Sequence, residues 1–228
     1  MILLWRRRLI RYRDYHFFMN ITKFGHSCLL VEEGSVRLLI DPGIFSDGFQ
    51  EISPIDAILI THLHPDHCDP AALRGLIEQN PQTKVYSNDD VRALLEKEGM
   101  SVIVPKDREK IDVSGVSIRS YQNTHAEIYR TLPRPQCTGF LIADRFYYGG
   151  DNLDVPDAPV DILALPVVAP WGKTVDFIDF AVAIHPRIVF PVHDAIGIPG
   201  FFAKFPASIL PEFGIEVKIL EHRQVYDF

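Results

Sequence analysis

Between residues 21 and 43 short apolar runs alternate with turn formers: Ile21-Thr22-Lys23-Phe24, then a run over 27–34, then a run over 35–43 that ends in Asp41-Pro42-Gly43. Gly34-Ser35 stands where a hairpin turn belongs, so this opening predicts a β-meander. Ala57–Ile60 is a short unbroken apolar run of the kind buried on both faces of a sheet, and it ends directly at Thr61-His62. Asp69 followed by Pro70 supplies an N-cap and a proline at the first helical position, which predicts a helix running to a stop at Asn80-Pro81. Asn88 caps a second predicted helix over 89–98, closed by Gly99. Further strands are predicted at Ser101–Val104, Val116–Tyr121, Cys137–Ala143, Phe146–Tyr148, Ile162–Leu165 and Ile188–Pro191, with helices near 174–184 and 200–209. Strands with interspersed helices define an α/β or α+β layered domain, and periodicity alone leaves open how its sheets stack. No repeat of solenoid period and no low-complexity linker divides the chain, so residues 19–228 read as one domain with a substantial core.

The first eighteen residues stand apart. They carry Arg6, Arg7, Arg8, Arg11 and Arg13 against Asp14 alone, so the net charge of −7 for the whole chain becomes −11 for residues 19–228. An acidic body argues against a nucleic-acid backbone as partner. The basic extension has neither an apolar h-region nor a small-residue cleavage site and does not read as a secretory signal. The regular pattern begins at Met19, which points to Met19 as the natural start, with a basic amphipathic arm as the alternative. Nothing later is long and apolar enough to span a membrane. Cys28, Cys68 and Cys137 are widely spaced with no CxxC pair. That pattern fits neither a disulfide framework nor a zinc ribbon, and a reducing cytoplasm is the expected location.

The chemistry concentrates in His62-Leu63-His64-Pro65-Asp66-His67, three imidazoles and a carboxylate within six residues, all ligand types suited to zinc and its neighbours. In an extended stretch residues two apart point the same way. His62 and His64 can therefore grip one ion while the following turn swings Asp66 and His67 toward a second. The bland alternative, a polar helix-entry loop, leaves four coordinating groups without a purpose. His125, Asp151 in Gly149-Gly150-Asp151, and His193 each sit just past a predicted strand, where loops converge on sites. Taken singly, each is as well explained by structure or by a turn.

With these residues in this order the chain resembles the metallo-β-lactamase superfamily, whose signature is HxHxDH, a distant His, an Asp on a glycine-rich turn and a last His. The resemblance covers nearly all of residues 20–220. It is similar in particular to the small lactonase-like branch that includes ascorbate-6-phosphate lactonase, on Phe24-Gly25-His26-Ser27, Leu39-Ile40-Asp41-Pro42 and Pro191-Val192-His193-Asp194. The resemblance implies a four-layer αββα sandwich with its metal loops along one edge. It implies two divalent ions, one on His62, His64 and His125, the other on Asp66, His67 and His193, with Asp151 bridging. Zinc is the first expectation; Asp rather than Cys at 151 keeps manganese or iron compatible.

The implied activity is hydrolysis of a small ester, lactone or phosphodiester by a hydroxide held between the ions, since metal coordination lowers the pKa of water from about 15.7 to ~7. Asp66 is the catalytic candidate, passing a proton to the leaving group as well as binding metal. Asp41 is expected to hydrogen-bond a ligand histidine and fix its tautomer, with an Asp-Pro-Gly turn as the alternative. His26, Arg130, Arg134, Trp171 and Lys173 are the candidates for meeting a small anionic substrate. Local packing is the alternative for Trp171 and Lys173, and Cys68 matches no ligand position and is expected to be buried. Two other functions fit the same residues: an iron-dependent oxidoreductase or sulfur-transfer enzyme, and a non-catalytic metal-binding module.

Overall fold

In a computed structural model, which describes residues 19–228, most of the expected strands and helices are seen. The basic segment 1–18, and with it the reading of Met19 as the start, lies outside the described residues. The chain forms β1 (Met19–Lys23), β2 (Leu29–Glu33), β3 (Val36–Ile40) and β4 (Ala57–Leu59), then α1 (Pro70–Gln79), β5 (Lys84–Tyr86) and α2 (Asp89–Leu95). It continues through β6 (Lys110–Val113), β7 (Val116–Thr124), β8 (Gln136–Ile142), β9 (Phe146–Tyr148) and β10 (Ile162–Pro166). The last elements are α3 (Thr174–Ile184), β11 (Ile188–Val192), α4 (Lys204–Ile209), β12 (Glu216–Val217) and β13 (Val225–Asp227).

One sheet has the order β13-β1-β2-β3-β4-β5 and the other β12-β11-β10-β9-β8-β7-β6. Because side chains alternate across a strand, Leu38 and Ile40 of β3 enter a central core while Leu39 enters an outer one. Ile162 and Ala164 of β10 likewise face inward, and Leu163 and Leu165 outward. The central core joins Ile21, Leu29, Leu38 and Leu59 of the first sheet to Phe140, Phe146, Tyr148 and Phe190 of the second. Leu73 and Leu76 of α1 and Val91 and Leu95 of α2 cover the outer face of the first sheet. Phe177, Phe180 and Ala181 of α3 cover that of the second. The result is a four-layer αββα sandwich, in which strands apolar on both faces are required.

The topology also explains where chemistry collects. β3, β4 and β5 are parallel, as are β9, β10, β11 and β12, and the antiparallel pairs β1–β2, β2–β3, β7–β8 and β8–β9 turn β1 and β7 the same way as their sheets' parallel strands. Within each sheet these strands finish at a common edge, and six of them are followed within three residues by a residue singled out in the sequence. β1 leads to His26, β3 to Asp41, β4 to His62, β7 to His125, β9 to Asp151 and β11 to His193.

Four departures from the expected elements have local causes. Ser101–Val104 makes only a single bridge, Ile103 to Tyr86, because the strand it would extend, β5, is three residues long. β5, β6, β12 and β13 were not foreseen: Lys84–Tyr86, Glu216–Val217 and Val225–Asp227 are too short to show a period, and Lys110–Val113 is half charged. The helix expected over 200–209 starts only at Lys204, after Gly200 in the left-handed region and a turn over 201–203. The second helix tightens to a 3₁₀ turn at Glu96–Glu98 before Gly99. Among the described residues no helix is long and apolar enough to cross a membrane.

Candidate metal centre

Thr61, the residue after the β4 run, is held to both sheets. Its N–H donates to Asp41 Oδ1 and its hydroxyl to Asp41 Oδ2, each at 2.7 Å. Its carbonyl accepts from the Thr138 N–H at 2.7 Å and from Asn88 Nδ2 at 2.9 Å. The loop then closes on itself, the N–H groups of His67 and Cys68 both reaching the His64 carbonyl at 2.9 Å. It passes so close to Gly43 that a Cβ there would overlap the Asp66 carbonyl. Asp41 reaches its place with φ 45°, a left-handed conformation.

This scaffold gathers two groups of side chains. His62, His64, His125 and Asp151 form one, and His26, Asp66, His67 and His193 the other, with one potential ligand atom per residue and the atoms of each group within 4.8 Å of one another. Asp151 stands between the groups. Its Oδ2 is 3.3 Å from His125 Nε2 and 3.2 Å from His193 Nε2, and its Oδ1 is 3.3 Å from His67 Nε2. Asp66 Oδ2 lies 3.7 Å from His67 Nε2, 3.6 Å from His193 Nε2 and 3.3 Å from His26 Nε2.

The second nitrogen of most of these imidazoles is spoken for by an acceptor. His67 Nδ1 contacts Asp41 Oδ2 at 2.7 Å, His193 Nδ1 the Val168 carbonyl at 2.7 Å, and His125 Nδ1 the Ala126 carbonyl at 2.6 Å. His62 Nδ1 lies 3.0 Å from Thr61 Oγ1, whose own proton goes to Asp41, so the imidazole is the donor. A proton on Nδ1 leaves the Nε2 lone pair free for a metal, the arrangement that outer hydrogen bonds impose on ligating histidines. The Nε2 atoms of His67, His125 and His193 and Oδ1 of Asp151 are buried with no hydrogen-bond partner. Buried polar atoms are rarely left so, and four converging in one place fit a bound cation.

A model of the Beta-lactamase superfamily domain matches residues 20–193. The chain belongs to the metallo-β-lactamase superfamily. It is 39% identical over 186 residues to Protein Rv0786c of Mycobacterium tuberculosis, covering 79% of this chain and 86% of the relative. It is 28% identical over 190 residues to the UPF0173 metal-dependent hydrolase Ta0764 of Thermoplasma acidophilum, covering 77% and 83%. Among solved structures, the fold matches Igni18, a metallo hydrolase of Ignicoccus hospitalis, with a TM-score of 0.74 at 19% identity over 92% of this chain and 98% of that one. Metal-dependent hydrolase, the class for which the UPF0173 relative is named, is the coarse functional assignment of this superfamily member.

The charges of the superfamily site are mutually arranged. Burial opposes the Asp151 carboxylate, yet His67 and His193 hold its pKa well below the ordinary value. Asp66 is likewise held low, burial being outweighed by the nearby His26 N–H and by His67. Burial lowers the pKa of His62, assisted by His67, and lowers that of His64, assisted by His125. His67 goes the other way: against burial, Asp151 and Asp41 raise its pKa well above 6.5. Burial pushes the Cys68 thiol up to about 12, which leaves it a poor ligand inside the apolar layer under α1.

Of the residues expected to meet substrate, three also have a place in the fold. Trp171 Nε1–H donates to Asp151 Oδ2 at 2.7 Å and so braces the carboxylate between the two groups. Lys173 is exposed, and its backbone N–H takes Asp176 Oδ2 at 2.8 Å to start α3, the local reading of that residue. Arg134 Nε donates to the His125 carbonyl at 2.9 Å and steadies that loop. Arg130 is exposed in a turn and makes no hydrogen bond or ion pair with either group. His26 lies inside the second group and is completely buried. Asp41 both turns the chain, its carbonyl accepting from the Gly43 N–H, and bonds His67.

Several supports were not anticipated. Asn88, read only as a helix cap, also ties Thr61 to Thr138 Oγ1, at 3.0 Å from the latter. Asn152 Nδ2 donates to the Thr124 carbonyl at 2.8 Å, and the Ala126 N–H to the Asp151 carbonyl at 2.8 Å, sewing the His125 and Asp151 loops together. Lys23, buried at the end of β1, reaches Asp194 Oδ2 at 2.7 Å and anchors the loop after His193. Nothing in their spacing marks these residues, because each acts on a segment remote in sequence.

Proposed function

We propose that this chain is a dinuclear metal-dependent hydrolase of a small, anionic ester, lactone or phosphodiester, with residues 19–228 as a single catalytic domain. The observation that carries the reading is the convergence of unpartnered buried Nε2 atoms and a carboxylate oxygen from five loop ends. In this reading His62, His64 and His125 hold one divalent ion, Asp66, His67 and His193 the other, and Asp151 serves both. Zinc suits the nitrogen and oxygen donors best, with manganese or iron compatible. Bound there, the ions supply a water acidic enough to be deprotonated at neutral pH and polarise the group under attack.

The chain's own residues do the rest. Asp41 and the carbonyls of Val168 and Ala126 orient the imidazoles, and Trp171 fixes Asp151 in the direction both groups need. Asp66, partly exposed where His26, His67 and His193 are buried, stands as a carboxylate and is positioned to accept the proton that an attacking water gives up and to pass it to a departing oxygen. The three buried free cysteines and the acidic body suit a reducing compartment and a partner other than nucleic acid.

The test is elemental analysis of protein purified without chelator, together with a screen on lactones, carboxylic esters and bis-phenyl phosphate esters with added zinc or manganese. Near two metals per chain and hydrolysis restored by metal are expected. Two irons without hydrolysis would move the assignment to an oxidoreductase, bound metal without any turnover to a binding module, and absence of bound metal would overturn the centre itself.

A further inference from the structure

His26 breaks the hydrogen-bonding rule that the neighbouring histidines follow. Its Nδ1 accepts the Ala195 N–H at 3.0 Å, whereas the Nδ1 of His67, of His193 and of His125 faces an oxygen acceptor. A ring nitrogen that accepts from a backbone amide carries no proton, so the ring is not an imidazolium and its one proton sits on Nε2. Nε2 is the atom turned into the site: it lies 3.3 Å from Asp66 Oδ2, fully buried, with no aligned hydrogen-bond partner.

The ring has little freedom to do otherwise. Its own backbone is clamped, the His26 N–H to the Phe45 carbonyl at 3.3 Å and the His193 N–H to the His26 carbonyl at 2.8 Å. The ring is packed against His193, centroids 4.0 Å apart, and meets Phe45 edge-on at 5.6 Å. Flipping it would strand the Ala195 N–H, which belongs to the loop that Lys23 pins through Asp194. A nitrogen held in the N–H form has no lone pair for a metal, although His26 falls in the same group of potential ligands as Asp66, His67 and His193.

We propose that His26 is a fixed hydrogen-bond donor in this centre and not a ligand, its Nε2–H serving an oxyanion of the substrate bound beside Asp66. The proposal rests on the dinuclear reading for what brings the oxyanion there. A preformed donor in a dry, buried setting favours a developing negative charge more than it would in water, since no solvent must reorganise to supply it.

The experiment compares wild type, His26→Gln, which keeps an amide N–H, and His26→Phe, which keeps bulk alone. Long-range proton–nitrogen NMR of histidine-labelled protein is expected to show His26 with its proton on Nε2 both before and after zinc addition, while the ligand imidazoles shift. All three proteins are expected to bind zinc with the same stoichiometry. Inorganic phosphate is expected to bind zinc-loaded His26→Phe about tenfold more weakly than wild type, with much of the loss recovered in His26→Gln. Loss of the Nε2 proton on zinc addition, a drop of one zinc per chain in His26→Phe, or unchanged phosphate affinity in that variant would overturn the assignment. If the protein binds no zinc, the dinuclear reading fails, and the metal-free spectrum still decides His26: a proton on Nε2 upholds the donor, a proton on Nδ1 removes it.

Discussion

The half of the proposed centre built on His62, His64 and His125 is held differently from the half built on Asp66, His67 and His193. In the first, His62 is oriented at second hand, through Thr61 to Asp41, and His125 by a carbonyl one residue away on its own loop. His64 is only partly buried and, among the described residues, its ring nitrogens hydrogen-bond to nothing but His62. In the second half, the buried Asp41 carboxylate grips His67 directly, and His193 is set by a carbonyl from a different strand end, Val168. A site assembled from remote, buried supports is preorganised, and one resting on its own loop relies on the metal to order it. The two halves are therefore expected to fill unequally, the Asp66 side first.

The sharpest way to break this contrast is to remove an outer support on which both halves lean. Asp41→Ala strips His67 of its partner, Thr61 of two, and His62 of its indirect support. Zinc titration should show affinity falling by up to about 100-fold at both positions. The three donors left buried and unpaired should lower stability by ~1–3 kcal/mol each, read by denaturant unfolding. Next in size, His64→Ala should leave the better-supported half intact: metal content should fall from near two to near one per chain, with folding unchanged and hydrolysis of any substrate found in the screen down at least ~100-fold. Retention of two metals would show that the halves are not separable.

A third expectation concerns protons. In the metal-free protein His67 and His193 have raised pKa values, which burial resists and which Asp151, joined for His67 by Asp41, imposes. Their contribution to stability is thus fully present below an unfolded value of ~6.5 and is lost as pH rises through the folded values. Metal takes the place of those protons, so uptake at pH 7 should release protons, measurable in weak buffer with an indicator dye, and affinity should weaken as pH falls. The smallest effect is expected from Trp171→Phe. It removes one donor to Asp151 while keeping an aromatic ring against Phe177, and should weaken metal binding about tenfold.

What could be read from the chain alone divides by distance along the sequence, and not between the two halves. His62, His64, Asp66 and His67 announce themselves because they are neighbours, and the layered fold follows from apolar runs and turn formers that are also local. His125, Asp151 and His193 could be nominated through the order of a family signature. The polarity of His26, by contrast, depends on the Ala195 N–H, 169 residues away, and the service of Trp171 to Asp151 on how β9 and the segment before α3 meet. Side chains with two plausible occupations, such as Trp171 as a substrate face or as a brace, are decided by tertiary geometry that no spacing encodes. The short strands β5 and β6 were missed for a related reason: three or four residues carry too little period, and it is pairing with β4 and β7 that makes them strands.

Asp41 and His193 both sit at positive φ, 45° and 58°, in a region that side-chain-bearing residues occupy at a cost on the order of 1–3 kcal/mol each. Neither conformation serves the core; both aim a functional group at the edge where the loops meet. At Asp41 the three hydrogen bonds its carboxylate accepts outweigh that strain, but at His193 selection for thermal robustness alone would favour glycine and erase a proposed metal ligand. Laboratory evolution of this chain toward heat tolerance has a built-in direction of functional decay unless turnover is screened alongside survival.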